Sequence, residues 1–314
     1  MKLTQLQQDN ASSLLNKTLH RIEGAYAPAT IRAFKADFNT FIAYCQEHQS
    51  ASLPTHPSTV SNYIHHLSNG KFTSAYIRRI LVSISTIHKL NRFEDPTKDC
   101  DVQLSMRRMH RKLGRSSKQV AAITRDILDK MLVATENDLR GIRDRALLQV
   151  AYDTLCRRSE LVDLMVQDIT NNTSTSSQNY YLSIKLRKNK TDQNSQGRWL
   201  HLSETASSAL KEWLNISNIS SGPIFRGINK GNAIAEKLGS GQIARIYKRM
   251  ASKAHLSYDT IKNISGHSMR VGAAQDLLRE GMSLPNIMNR GRWSKTDTVM
   301  RYVEQIAPTN SLTP

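Results

Sequence analysis

Long apolar runs are missing from this chain. No segment approaches the roughly 20 residues that a membrane span needs. The opening stretch, MKLTQLQQDN, has none of the apolar core that a signal peptide carries, so neither membrane insertion nor export is expected. Cysteine is equally scarce. Cys45, Cys100 and Cys156 are an odd number, far apart, with no metal-ligand rhythm. They read as free thiols in a reducing compartment, which sets aside a disulfide scaffold or a zinc site. Acidic residues are also in short supply, with 26 Asp and Glu against 44 Lys and Arg in 314 residues, a net charge of +18. With 39% hydrophobic and 22% charged residues the chain can still bury a proper core, and broad disorder is excluded.

A pI near 10.0 favours a polyanionic partner, because each phosphate that Lys or Arg neutralises releases condensed counterions. The excess is spread over both halves. Residues 1–120 hold 17 basic and 8 acidic residues, and residues 121–314 hold 27 and 18, so each half carries +9. That distribution suggests two modules that both touch nucleic acid. A generally basic soluble protein remains the plainer alternative on charge alone.

The patterning is mainly helical, and no internal repeat stands out. Residues 1–25 lack strong periodicity and are expected to form a loose arm. Thr30 can cap a helix that places Ile31, Phe34, Phe38, Phe41 and Ile42 on one face. A second helix from Ser58 carries Val60, Ile64 and Leu67. A third from about Thr73 carries Ile77, Ile80, Leu81, Ile84 and Ile87, with Arg78 and Arg79 off the stripe. A basic fourth helix runs through Met106–Lys112. Residues 26–117 thus read as an all-helical bundle, and the polar stretch GRSSKQ at 114–119 has linker composition. The second module, 118–314, begins with helices at 124–136 and 140–152. Strand-like alternation appears only in Tyr180–Leu186 and Arg198–Leu202, which flank the polar turn KNKTDQNSQG and suggest a hairpin. Helices follow at roughly 203–215, 240–254, 268–279 and 283–289. The predicted fold class is mainly α in two domains, with a small β-hairpin or sheet in the C-terminal domain.

Three separated segments stand out chemically. Thr154-Leu-Cys-Arg-Arg-Ser-Glu-Leu places Arg157 and Glu160 on one helical face. Gly266-His-Ser-Met-Arg puts His267 and Arg270 at a helix start. Gly291-Arg-Trp-Ser brings Trp293, and Tyr302 follows nine positions later. Taken singly, each has an ordinary structural explanation: a surface ion pair, a helix cap, a half-buried tyrosine. Taken together they supply two always-charged forks for phosphate oxygens, a histidine donor or acceptor, an indole N–H and a phenolic nucleophile. That set can open a phosphodiester with arginine charge in the place of a divalent ion.

The order Arg157…Lys190…His267-x-x-Arg270…Trp293…Tyr302 resembles the tyrosine recombinase (phage integrase) family, and closely its Cre-like members. The likeness runs from about Thr30 to Tyr302 and includes stretches such as Arg143-Asp-Arg-Ala-Leu-Leu and Val166-Gln-Asp-Ile. The resemblance implies a helical core-binding domain and a catalytic domain that clamp duplex DNA. It implies that Arg157 and Arg270 hold the scissile phosphate and that His267 bonds the same phosphate and can accept a proton from Tyr302. Trp293 supports the phosphate, Glu160 orients the Arg and His side chains, and Lys190 protonates the 5′-oxygen, with Lys188 as a rival. It further implies a 3′-phosphotyrosine, strand exchange through a Holliday junction, no metal, no ATP or other cofactor, and a homo-tetramer on two DNA sites with inverted repeats. A cytoplasmic, DNA-associated protein of a bacterium, phage or plasmid follows from the same likeness.

Lys71, Arg78, Arg79, Arg107, Arg108, Arg111 and Lys112 are candidate DNA contacts of the first domain, the last four chiefly to phosphates. In the second domain Gln242, Arg245 and Lys248 lie on one helix. Gln can read adenine and Arg guanine, so Gln242 and Arg245 are the base-reading candidates, unless these charges only solvate a face. Only twelve residues follow Tyr302, among them Pro308, where the likeness implies a longer docking helix; the exchange is expected to be shortened or taken over by the 1–25 arm. Two other functions fit the same residues less well. A catalytically silent DNA-binding protein would need neither Lys190 nor Tyr302, and a topoisomerase-like or telomere-resolving enzyme would bring large extra domains.

Overall fold

The apolar stripes read above become the buried faces of helices. The computed structural model describes residues 5–115, 120–171, 182–187 and 197–303, in two units, Met1–Lys118 and Gln119–Pro314. In the first unit, α1 (Gln5–Arg21), α2 (Pro28–Glu47), α3 (Pro57–Asn69), α4 (Ser74–Leu90) and α5 (Cys100–Leu113) surround one core. Phe38 and Phe41 of α2, Val60 and Ile64 of α3, Ile77 and Ile84 of α4 and Met109 of α5 meet there. The start of α2 is earlier than Thr30, because Pro28 at the first helical position fixes φ and has no N–H to satisfy. Thr73 does cap α4, its hydroxyl accepting from the Tyr76 amide.

The first unit also holds two buried polar ties. The Asp37 carboxylate on α2 accepts from Ser83 Oγ of α4 at 2.8 Å and pairs with Arg79 at 2.9 Å. His88 is fully buried. Its Nε2 accepts from the Thr55 amide at 3.1 Å, so its Nδ1 carries the hydrogen that it shares with the Ile84 carbonyl at 2.8 Å. Burial lowers the His88 pKa and keeps the ring neutral.

The loose arm expected at 1–25 is corrected by α1. Ala11, Leu15, Leu19 and Ile22 recur at helical spacing and are all buried in the first unit's core. Thr18 Oγ1 bonds the Asn91 side chain at 3.0 Å, and the Arg21 guanidinium donates to the Leu90 carbonyl. The stripe hides in a Gln-, Asn- and Ser-rich stretch, and tertiary burial outweighs that weak local pattern.

The second unit holds α6 (Arg125–Val133), α7 (Leu139–Thr154), α8 (Arg158–Val162), α9 (Glu204–Ser217), α10 (Ser240–Lys253), α11 (Tyr258–Asn263), α12 (Ser268–Arg279), α13 (Leu284–Gly291) and α14 (Thr296–Val303). Helix α7 is buried on nearly every side, which is why its sequence shows no clear stripe. A three-stranded antiparallel sheet has the order β1 (Ile169–Asn171), β2 (Leu182–Leu186), β3 (Arg198–His201). Ile184 pairs with Ile169 on one side and Leu200 on the other. The predicted hairpin strands are β2 and β3. β1 was not anticipated, since three residues are too few to display alternation.

Helix α12 is pinned by a close backbone approach. A Cβ on Gly272 would lie 1.9 Å from the Ile123 carbonyl oxygen, so only glycine lets the 120–124 segment lie against the helix. The Ile123 amide bonds the Ser268 carbonyl at 2.9 Å, and Asp276 accepts from the Arg125 amide at 2.7 Å and the Tyr152 hydroxyl at 2.8 Å.

Leu15→Ala tests the correction at α1. With Leu15 1% exposed, the change should lower the unfolding free energy by about 2–5 kcal/mol, as for other buried leucines. Urea unfolding of the full chain measures it; a loose arm would give a change within about 0.5 kcal/mol.

Candidate active site

The three sequence segments meet at two helix ends. α7 stops at Leu155, a left-handed residue with φ 48, and α13 stops at Arg292, also left-handed with φ 58. Helices ending this way leave carbonyls that need donors. Arginines supply them. Arg270, one turn into α12, donates to the Leu155 and Gly291 carbonyls. Arg292 donates to the Thr154 carbonyl at 3.1 Å and the Leu155 carbonyl at 3.2 Å.

Arg157 caps α8 and Glu160 stands at its third residue. The Glu160 carboxylate takes the Arg157 amide at 2.9 Å on Oε2 and the Arg157 guanidinium at 2.6 Å on Oε1. A third donor was not foreseen: Arg292 Nη2 reaches Glu160 Oε2 at 3.0 Å. Arg157 Nη2 in turn donates to the Arg292 carbonyl at 3.3 Å. Burial alone would raise the Glu160 pKa, but the Arg292 charge, then the Arg157 amide and guanidinium, hold it below the ordinary value.

Arg270 is 2% exposed. Burial first, then repulsion from Arg157 and Arg292, lowers its pKa to about 9, which still leaves it cationic near neutrality. Its guanidinium lies 4.1 Å from the Trp293 ring centroid, a cation–π contact. A Cβ on Gly291 would fall 1.8 Å from the Trp293 ring, so glycine makes room for the indole. The Trp293 and Tyr302 rings follow at 5.9 Å and an interplanar angle of 60°. Helix α14, which carries Tyr302, is held by fully buried Val299 and by Gln275 Nε2 donating to the Tyr302 carbonyl at 2.7 Å. The tyrosine side chain is half-buried.

His267 stands just before α12, where a Ser265–Ser268 exchange fixes its backbone. Ser265 Oγ accepts from the His267 amide at 3.1 Å, and Ser268 Oγ accepts from the Ser265 amide at 2.8 Å. Arg158 packs on Gly266, where a Cβ would lie 3.0 Å from its Cδ. Partial burial lowers the His267 pKa first, and the charges of Arg270, Arg158 and Arg157 lower it further. The imidazole is therefore a neutral proton acceptor near pH 7.

The structure thus brings Arg157, Glu160, His267, Arg270, Trp293 and Tyr302 into one neighbourhood. Lys190 and its rival Lys188 lie outside the described residues. Arg292 was missed because it stands beside Trp293 with no spacing signal of its own; its side chain is buried at a left-handed helix end. The Glu160 carboxylate bonds Arg157 and is shared with Arg292. Among the described residues no group of three His, Cys, Asp or Glu side chains is clustered as a metal site would require, and no helix is long and apolar enough to cross a membrane.

The DNA candidates have varied surroundings. Lys71, Arg78, Arg107, Arg108, Arg111 and Lys112 are exposed, and Arg78, Lys89, Arg107 and Arg115 line a groove of about 560 Å³ along α4 and α5. The Arg79 guanidinium is engaged by Asp37 and lies 5.3 Å from the Tyr76 ring centroid. On α10, Gln242 Oε1 accepts from the Gly239 amide at 2.9 Å, and Lys248 donates to the Lys262 carbonyl at 3.0 Å, leaving Arg245 exposed.

The histidine gives a pH test. Because the folded state resists protonating His267, the unfolded chain binds that proton more tightly, and stability falls as pH drops through about 6.5. His267→Gln should flatten that part of the stability–pH curve. An NMR titration placing the His267 midpoint at or above 6.5 contradicts the assigned crowding.

Residues 121–307 match the model of the phage integrase family. An integrase/recombinase XerD homologue of Selenomonas ruminantium is 29% identical over 308 residues, covering 95% of this chain and 87% of the relative. The Cre recombinase of Escherichia phage P1 is 26% identical over 323 residues, covering 97% and 93%. Among solved structures, the XerH site-specific recombinase bound to its palindromic difH substrate superposes with a TM-score of 0.64 at 16% identity, covering 93% of this chain and 80% of that one, a likeness of fold. On the family match, over more than half of its length, the chain belongs to the phage integrase family of tyrosine recombinases.

Proposed function

We propose that this chain is a site-specific DNA recombinase that cleaves and rejoins duplex DNA through a 3′-phosphotyrosine and a Holliday junction, with neither metal nor ATP. The observation that carries this reading is the gathering of Arg157, Arg270, Trp293 and Tyr302 around two helix ends, with His267 at the start of the helix that carries Arg270. Arg157 and the remaining N–H donors of Arg270 take the non-bridging oxygens of the scissile phosphate and stabilise the charge that builds on them. The Tyr302 oxygen attacks phosphorus and its proton passes to neutral His267. The bond from phosphorus to the 5′-oxygen breaks, and Lys190 protonates that oxygen. The tyrosyl ester keeps the energy of the broken diester, so a free 5′-hydroxyl from a partner strand reverses the step and reseals the backbone.

The exposed basic side chains of α4 and α5 in the first unit, and Arg245 on α10 in the second, supply phosphate and groove contacts. The substrate is duplex DNA with inverted repeats, and the working assembly is a tetramer on two such sites.

The test is covalent capture on a library of nicked duplexes with randomised sequence, in EDTA. The wild-type chain should yield a detergent-resistant adduct whose DNA is joined at its 3′ end to the Tyr302 peptide. Tyr302→Phe should bind the recovered duplex and form no adduct. A dependence of cleavage on magnesium, or an adduct at another residue, overturns the reading. Lys190→Ala should cleave slowly and recover on a 5′-phosphorothiolate, whose leaving group needs no proton; rescue seen only in Lys188→Ala assigns the acid to Lys188.

A further inference from the structure

We propose that Arg292 is a positioning residue of the cleavage site, holding the Glu160 carboxylate so that Arg157 presents its guanidinium to the phosphate in one fixed orientation. The proposal rests on the recombinase reading and extends it to a side chain to which neither the sequence nor the family match assigns a role.

The bonding pattern is the first ground. Glu160 Oε1 is used by the Arg157 guanidinium at 2.6 Å, and Oε2 is shared between the Arg157 amide at 2.9 Å and Arg292 Nη2 at 3.0 Å. Without Arg292 both oxygens would be held by Arg157 alone, and the carboxylate and that arginine could swing together about their side-chain torsions. Here Arg292 anchors Oε2 and leaves Oε1 aimed at Arg157. Arg292 is itself fixed by the Thr154 and Leu155 carbonyls at 3.1 and 3.2 Å, so the anchor is tied to the end of α7.

The second ground is what this arginine costs the fold. It occupies a left-handed backbone position, φ 58, where glycine or asparagine is favoured. It is 6% exposed, and its Nε finds no hydrogen-bond partner among the described residues. A helix end needing only a C-cap would be served by glycine at that position without burying a charge. The third ground is connection. The Arg292 carbonyl accepts from Arg157 Nη2 at 3.3 Å, and the next residue, Trp293, lies between Arg270 and Tyr302. The orientation of the arginine clamp and the placement of the tyrosine-bearing segment thus pass through one residue.

The experiment uses the full chain and the nicked duplex recovered by covalent capture with the wild type. Single-turnover cleavage is measured at saturating DNA beside the dissociation constant, for Arg292→Gln, Arg292→Lys, Glu160→Gln and the double variant Arg292→Gln/Glu160→Gln. Arg292→Gln should slow cleavage roughly 100-fold, the scale of a misplaced clamp, while DNA affinity stays within about twofold, as expected if Arg292 does not touch DNA. Arg292→Lys keeps the charge but not the planar fork and should be intermediate. It also covers the case in which the glutamine variant does not fold. In the Glu160→Gln background the added Arg292→Gln change should cost only a few-fold more, because both act through one carboxylate. A purely structural arginine would lower thermal stability and cut the rate by the same factor in both backgrounds, and that additive result overturns the proposal. So does wild-type cleavage by Arg292→Gln or Arg292→Lys. If the wild-type chain itself forms no adduct, the recombinase reading falls and this proposal falls with it. Cleavage by both the wild type and the Arg292 variants removes the proposal alone.

Discussion

The site depends on holding cationic side chains out of water without neutralising them. Burying a guanidinium is costly unless its N–H groups are bonded and its charge is met. Carboxylates could meet it, yet each one brought in would cancel the positive charge that an anionic substrate requires. The fold mostly uses backbone instead. The carbonyl ends of α7 and α13, which carry the negative ends of their helix dipoles, take the Arg270 and Arg292 donors. One carboxylate, Glu160, joins them. The cluster stays net positive, and much of its polarity is fixed by secondary structure.

The same constraint accounts for the local backbone. Carbonyls are freed at Leu155 and Arg292 because both helices end in left-handed residues. Gly291 lets the Trp293 ring fold back over Arg270, where the indole face gives the cation a further partner that carries no charge. Gly272 lets the 120–124 segment lie on α12 and so fixes the helix that carries Arg270. Tyr302 then sits beside Trp293 on a short helix held by Val299. A rigid arginine floor with an aromatic bridge leading to the tyrosine is the result.

How much of this the sequence displays follows from how each feature is encoded. Helices α2 to α4 are legible because Phe, Ile and Leu recur on one face and polar residues bound them, whereas of α5 only the basic stretch Met106–Lys112 shows, its start at Cys100 carrying a thin stripe of Val102 and Met109. The strands β2 and β3 are legible because a polar turn separates two alternating runs. Arg157, His267, Arg270, Trp293 and Tyr302 are legible as an ordered set of rare chemistry, although periodicity would not have brought them together. Helix α1 is hidden, since its buried Ala11, Leu15 and Leu19 sit among Gln, Asn and Ser. Helix α14 is hidden because eight residues with Thr and Asp at the front resemble a loop. Arg79 and Gln242 look free in the sequence, but a buried Asp37 and a helix-capping duty engage them. Arg292 is hidden for a different reason: it is buried where a helix ends on a left-handed φ dihedral, which no pattern of side chains records.

That dihedral also separates two ways of building a charged site. A surface arginine reaches its substrate by moving, and ordering its many rotamers weakens the contact. An arginine locked among carbonyls loses that freedom when the chain folds, so little ordering remains when the phosphate arrives. Arg157, with its side chain 20% exposed, has one edge toward solvent and the other bonded to Glu160 and the Arg292 carbonyl. Of the two buried arginines behind it, Arg292 is the one that bonds it, through its carbonyl and through the shared Glu160 carboxylate. The strain at Arg292 and the charge left in the core are costs of folding, and they accompany an arginine cluster whose geometry is fixed within the folded chain.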